Sequence, residues 1–142
     1  MTDLRLERDF NTTPARLFRA ISMQSELLQW WGPEGVFLPE GTLDFTRTGP
    51  WYSVMQNNDG AQFKVSGQVT HVDAPRSIGF TWAWHDDQDQ RGTESHVTFT
   101  VEPSGAGARL TLEHRNLDDS EQSARHEAGW TSSLRKLEKQ LN

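Results

Sequence analysis

The last stretch of the chain, Asp118 to Asn142, carries an apolar stripe that a helix presents on one side. Trp130, Leu134, Leu137 and Leu141 follow one another at intervals of four, three and four, the spacing of a single helical face. His126, four residues before Trp130, falls on the same stripe. Asp118 followed by Glu121 reads as a capping box that satisfies the first free N–H groups. Acidic residues crowd the first turns and Arg135, Lys136 and Lys139 the last, as the helix dipole prefers. Nothing follows to cover the stripe, so the expectation is that the preceding strands do. The pattern predicts a curved sheet wrapped around a C-terminal helix.

The residues upstream supply such a sheet. Leu4 and Leu6 alternate with Arg5, Glu7 and Asp9, predicting a strand over 3–10. Thr13 then reads as the N-cap of a short helix with Pro14 at its first position, and Leu17, Phe18 and Ile21 give it one apolar side. A second short helix begins at Ser22, carries Leu27, Leu28, Trp30 and Trp31, and stops at Gly32-Pro33. From Gly35 to His114 the pattern changes to strands and turns. The first strand of this region is read over Val36–Arg47, irregular at Pro39–Gly41. After a turn at 48–50 the next runs Trp51–Asn57, closed by the hairpin signal Asn57-Asn58-Asp59-Gly60. Four more are marked by Phe63, Val65, Gly67 and Val69; by Ile78, Phe80, Trp82 and Trp84; by Val97, Phe99 and Val101; and by Leu110, Leu112 and His114. Turns at 73–76 and 103–107 and a polar loop at His85–Gly92 separate them. Such a meander with one apolar face is an antiparallel sheet covered on one side. The expected class is α+β, in one domain spanning 1–142.

Charge and composition remove several functions. The net charge of −6 and pI near 5.3 argue against nucleic acid, whose phosphates select basic surfaces, and against anionic membranes. The absence of cysteine rules out disulfides, thiolate metal sites and cysteine nucleophiles. The opening MTDLRLERDF has no apolar signal region and no stretch approaches transmembrane length, so the expected location is cytoplasmic.

Five motifs in order resemble one family. Leu27-Leu28-Gln29-Trp30-Trp31-Gly32-Pro33 is similar to the L-x-x-W-W-G-P signature of the activator-of-Hsp90-ATPase-homologue-like family within the START/SRPBCC superfamily. Asn11 to Ala20 resembles its first helix, and Ser66-Gly67-Gln68-Val69 its x-G-x-V strand. Gly107-Ala108-Arg109-Leu110-Thr111-Leu112 resembles its G-G-T-R-L-T-L strand, and His126-Glu127-Ala128-Gly129-Trp130 the H-x-x-G-W of its last helix. One departure is Thr48-Gly49-Pro50-Trp51, where the family often has G-G-x-W. The resemblance implies the helix-grip (START/Bet v 1-like) fold and a deep, mostly apolar cavity between sheet and helix. In the superfamily such cavities hold lipids, hormones, polyketides or aromatic compounds. Some members are cyclases or hydrolases, many are binders, and the eukaryotic namesake binds Hsp90. Fold alone does not choose among these.

Strand parity selects the side chains expected to face that cavity. Phe63, Val65 and Val69 form one inward set, Phe80, Trp82 and Trp84 another, and Val97, Phe99, Leu110, Leu112 and His114 complete it. His126, Trp130, Leu134 and Leu137 come from the helix, and Trp30 and Trp31 from the second short helix. Trp51 and Met55 share a parity, but Tyr52 and Val54 are also apolar, so which pair points inward is left open. The plain reading of all these is ordinary core; the functional one is a ligand-lining surface in which indole N–H groups find partners. His114 and His126 are the inward histidines, read either as satisfied core residues or as a polar anchor or acid–base pair. His71, His85 and His96 fall on outward parity or in turns and receive no role. No metal or cofactor is expected. The acidic Asp86-Asp87-Gln88-Asp89 run lacks the Gly and Glu offsets of a calcium loop and reads as a solvated hairpin. Ser132 and Ser133 have no base–acid pair around them in sequence.

Three functions follow from these residues and the resemblance. The first is binding of a small hydrophobic or aromatic molecule, which predicts an internal pocket of roughly 300–1,000 Å³. The second is an enzyme of the cyclase, hydratase or hydrolase type in the same pocket, with His114 and His126 as the candidate groups. The third is an Hsp90-related co-chaperone or stress-response module, ranked last because the namesake carries a further N-terminal domain. Either a monomer or a homodimer paired through an edge strand fits the pattern.

Overall fold

The computed structural model describes residues 2–117 and 120–141. β1 (Thr2–Phe10) leads into α1 (Pro14–Ser22) and α2 (Gln24–Trp30). A meander follows: β2 (Phe37–Thr42), β3 (Gly49–Gln56), β4 (Gln62–Asp73), β5 (Ser77–Trp84), β6 (Ser95–Ser104) and β7 (Gly107–Leu117). α3 (Ser120–Leu141) ends the chain. Among the described residues the seven strands form one antiparallel sheet in the order β1-β7-β6-β5-β4-β3-β2. This is the helix-grip α+β fold expected from the sequence.

Local chemistry explains the element boundaries. Thr13 accepts the Arg16 N–H at 3.1 Å and Pro14 opens α1, so the N-cap reading holds. The expected capping box of α3 rests on Asp118 and lies outside the described residues. The strand expected over 36–47 stops at Thr42, with an irregularity between Phe37 and Glu40 where Pro39 interrupts pairing. Beyond it the backbone turns to the helices instead of the sheet. The Leu43 N–H donates to the Gln24 side chain at 2.8 Å and the Phe45 N–H to the Ser22 carbonyl at 2.9 Å, and both side chains are fully buried. The expected turn at 48–50 is shorter than read, because Gly49 and Pro50 already pair with Val69 and Gln68.

The core lies between the concave face of the sheet and the helices. Leu134 and Leu137 of α3, Leu17 and Ile21 of α1, and Leu27 and Trp30 of α2 meet Ile78, Phe80, Phe99, Leu110 and Leu112 of the strands. Trp51 and Met55 point inward, while Tyr52 and Val54 are half-buried on the other parity. Phe63 departs from the expected inward set: its side chain is 48% exposed. It sits one residue into β4, opposite Met55, at the end of the sheet where cover runs out. Three helices converge on Glu26. Arg16 of α1 lies 3.1 Å from its carboxylate, Arg19 4.0 Å, and Gln140 of α3 donates to it.

Candidate functional site: a tryptophan-lined cleft beside His126

Trp31 is the hub of the interior. Its ring centre lies 5.6–6.2 Å from those of Trp30, Phe45, Trp51, Phe80, Trp82 and Trp130. The contacts with Phe45, Trp51 and Trp130 are edge-on and the other three tilted; edge-on packing is favourable beyond simple burial, and the cluster fills the space where a deep cavity was expected. What remains is a cleft of about 140 Å³ at one end of the aromatic cluster. Its walls are Arg125, His126, Gly129, Trp130 and Ser133 of α3, Trp82 and Trp84 of β5, Met55 of β3, and Trp31, Gly32 and Pro33 after α2. The cleft is therefore smaller than the pocket anticipated from the sequence.

The loop wall is fastened to α3. The Glu34 N–H donates to Ser132 Oγ at 2.7 Å, Arg135 pairs with the Glu34 carboxylate at 3.3 Å, and Lys136 Nζ donates to the Trp31 carbonyl at 3.4 Å. Gly32 takes a φ of +84°, and a Cβ there would meet Met55 Sδ at 3.3 Å. Glycine is needed both for the backbone and for the width of the cleft.

Two histidines separate the cleft from the core. Their ring centres are 4.6 Å apart and nearly perpendicular. His114 is fully buried. Its Nδ1 accepts from Trp130 Nε1 at 3.1 Å, and its Nε2 lies 2.7 Å from Ser95 Oγ, which in turn reaches the Trp82 carbonyl at 3.3 Å. The indole can only donate, so Nδ1 is bare and Nε2 carries the proton. Burial first, and then His126, pushes its pKa from 6.5 down to about 3. His114 is thus neutral, with both nitrogens engaged, and has none left for proton transfer to a bound molecule. His126 stands on the cleft side. Its Nε2 accepts from Trp84 Nε1 at 3.1 Å, and its ring lines the cleft. Two neighbouring hollows, of about 170 and 310 Å³, share Trp84 and His126 as walls. The hydrogen-bonded pair is the partition between all three.

Of the sequence-selected residues, Trp31, Met55, Trp82, Trp84, His126 and Trp130 meet at the cleft. Trp30, Val65, Phe80, Phe99, Leu112 and His114 are packed core behind it. Trp30 donates its indole N–H to the Ala20 carbonyl at 2.9 Å. Trp51 is buried against Trp31 and Trp82, and Phe63 lines the larger neighbouring hollow from outside. Sequence reasoning missed Gly32, Pro33, Arg125, Gly129 and Ser133. The signal for Gly129 and Ser133 was present, since they stand three and seven residues after His126 on the same helical face.

Comparison with known proteins places the chain. The family model described as activator of Hsp90 ATPase homolog 1-like protein matches residues 11–142. The crystal structure of the AHSA1 protein from Silicibacter pomeroyi is similar at 62% identity and a TM-score of 0.95, over 98% of this chain and 96% of that one. A protein from Chromobacterium violaceum shares the fold at 22% identity and a TM-score of 0.87, over 98% and 96% of the two chains. One from Mycobacterium smegmatis does so at 20% and 0.82, over 99% and 90%. No curated protein matches significantly. Among the described residues no helix is long and apolar enough to cross a membrane. Family and fold together support a domain of the ligand-binding or co-chaperone type.

Proposed function

The chain belongs to the family of activator of Hsp90 ATPase homolog 1-like proteins, and on that premise we propose that it binds a small aromatic or hydrophobic molecule in the cleft beside His126. The supporting observation is the lining. Four indoles, a thioether and a proline ring surround the space, with His126 as a polar group at its edge. Binding sites are typically apolar enclosures with a few placed polar groups. The volume, about 140 Å³, sets the size of the occupant. A dry apolar cavity of about 150 Å³ holds one benzene ring. The ligand is therefore a single-ring compound or a fragment of that bulk, unless Trp84 moves and joins the three hollows. The domain acts in the cytoplasm, without a cofactor.

Titration with phenol, followed by heteronuclear NMR, tests this. The indole N–H resonances of Trp84 and Trp130 are expected to shift in a saturable manner, with the Trp30 resonance unmoved. Equal, linear shifts of all indoles, or none, would remove the proposal. A second reading, a partner protein of the Hsp90 type, is supported by the family description alone. A change in Hsp90 ATPase rate on adding the pure protein would favour it.

A further inference from the structure

A second group of side chains lies on the opposite, convex face of the sheet. Ser66 of β4 sits between the inward-facing Val65 and Gly67 and so points away from α3. Its Oγ lies 2.6 Å from His85 Nε2. His85 Nδ1 lies 2.7 Å from Asp89 Oδ1. The carboxylate can only accept, so Nδ1 carries the proton and Nε2 is left bare to take one from Ser66. Arg91 completes the group by donating Nε–H to Ser66 Oγ at 3.0 Å and a second N–H to the Ser66 carbonyl at 3.0 Å.

The loop between β5 and β6 is shaped to make this arrangement. The His85 N–H donates to the Lys64 carbonyl at 2.9 Å, which holds His85 beside β4. The Asp86 side chain caps the turn by accepting the N–H groups of Gln88 and Gln90, and His85 and Arg91 face each other across the hairpin. Asp89 has a φ of +62°, a left-handed conformation uncommon for a side-chain-bearing residue. Hydrogen bonds from Lys64 and then His85 hold its carboxyl below the usual carboxylate range. Backbone held in a sparse region clusters at functional sites. Ser66, His85 and Arg91 all line one groove of about 610 Å³, together with Tyr52, Lys64 and Gln68.

We propose that Ser66, His85 and Asp89 form an acyl-transfer site that cleaves carboxylic esters entering this groove. The triad is recognised by geometry and roles and not by chain order. Ser66 Oγ attacks the ester carbonyl carbon while its proton passes to His85 Nε2. The carbonyl π pair moves onto oxygen, and the Arg91 guanidinium is the cation positioned to stabilise that charge. The carbon–alkoxy bond then breaks, and the alcohol leaves with the proton from His85. Water, giving a proton to His85, attacks the acyl carbon. The Ser66–acyl bond breaks, the serine recovers its proton, and the acid is released. Ester and water become acid and alcohol. Asp89 orients the imidazole and offsets its charge. Its carboxylate is 65% exposed, where ion pairs are weakened by water, so both half-reactions are slow, and with an activated ester the hydrolysis of the acyl-serine is the slower of the two.

The test uses the whole chain with two probes. A fluorophosphonate is expected to add one group per chain, mapped by peptide mass spectrometry to Ser66. With p-nitrophenyl acetate, a burst of one p-nitrophenolate per chain is expected. Ser66→Ala removes adduct and burst, and Asp89→Asn slows labelling on the order of 100-fold or more, because the imidazole takes the wrong tautomer. Circular dichroism verifies that the variants fold. Absence of a Ser66 adduct in the wild type, or an equal burst from Ser66→Ala, would overturn the assignment. The wild-type mapping stands even if a variant fails to fold.

Discussion

The indole N–H of Trp51 crosses β4 to donate to the carbonyl of Thr81 on β5, 3.1 Å away, passing the position of its register partner Gly67. A Cβ on Gly67 would stand 2.0 Å from that same oxygen. The gap left by glycine is what lets a tryptophan on one strand reach across the next. Gly67→Ala is therefore expected to lower stability by roughly 1–3 kcal/mol, the range for a side chain forced into a packed interior. Urea denaturation measures it; a midpoint equal to that of the wild type would mean the strands part without cost.

His114 makes stability depend on pH. Its folded pKa, pushed down by burial to about 3, lies below the ordinary 6.5. Between those values the unfolded chain binds a proton that the folded chain does not. Stability from this residue is thus fully present above 6.5 and is lost as pH falls toward 3, with a slope of up to about 1.4 kcal/mol per pH unit. His114→Gln removes that component. Its loss of stability between pH 7 and pH 4.5 is expected to be smaller than that of the wild type, measured by denaturation at both pH values.

Trp31→Ala removes the centre of the aromatic cluster and is expected to cost about 3–5 kcal/mol. It also removes one wall of the cleft. If the variant still folds, 1-naphthol should bind it and not the wild type, as read by calorimetry. Equal affinities would show that Trp31 does not set the size limit.

Glu26 is half-sealed between α1 and α3, with 17% of its side chain exposed. Glu26→Ala leaves the Arg16 guanidinium without its carboxylate and is expected to cost about 1–3 kcal/mol, more than a surface ion pair contributes. A thermal midpoint within about a degree of the wild type would place this contact among the surface pairs of negligible weight.

How far the sequence carried these conclusions depended on periodicity. The stripe of Trp130, Leu134 and Leu137, the Thr13-Pro14 helix start and the alternation of Phe80 and Trp82 are local patterns, and each appears as read. Leu43 and Phe45 kept a strand-like alternation yet left the sheet, because their N–H groups found partners on the α1–α2 segment. Phe63 kept its parity but lost its cover at the sheet's end. Cleft volume was not legible, since periodicity says which residues face inward and not how tightly six rings pack around Trp31. Ser66, His85 and Asp89 gave no signal at all, because a strand and a loop 19 residues further on meet only through the β4–β5 register.

The sheet order sets a timetable for synthesis. β1 is made first, yet it pairs with β7, so that Leu4 faces His114 and Leu6 faces Leu112. Until β7 has left the ribosome, the first strand has no edge to join, whereas Trp31 already has Phe45, Trp51, Phe80 and Trp82 from segments made before β7. Closing a loop of that span is slow relative to hairpin formation, so the meander β2–β7 can assemble hairpin by hairpin while the N-terminal segment waits. The nascent chain therefore carries β1 without its sheet partner for most of its translation.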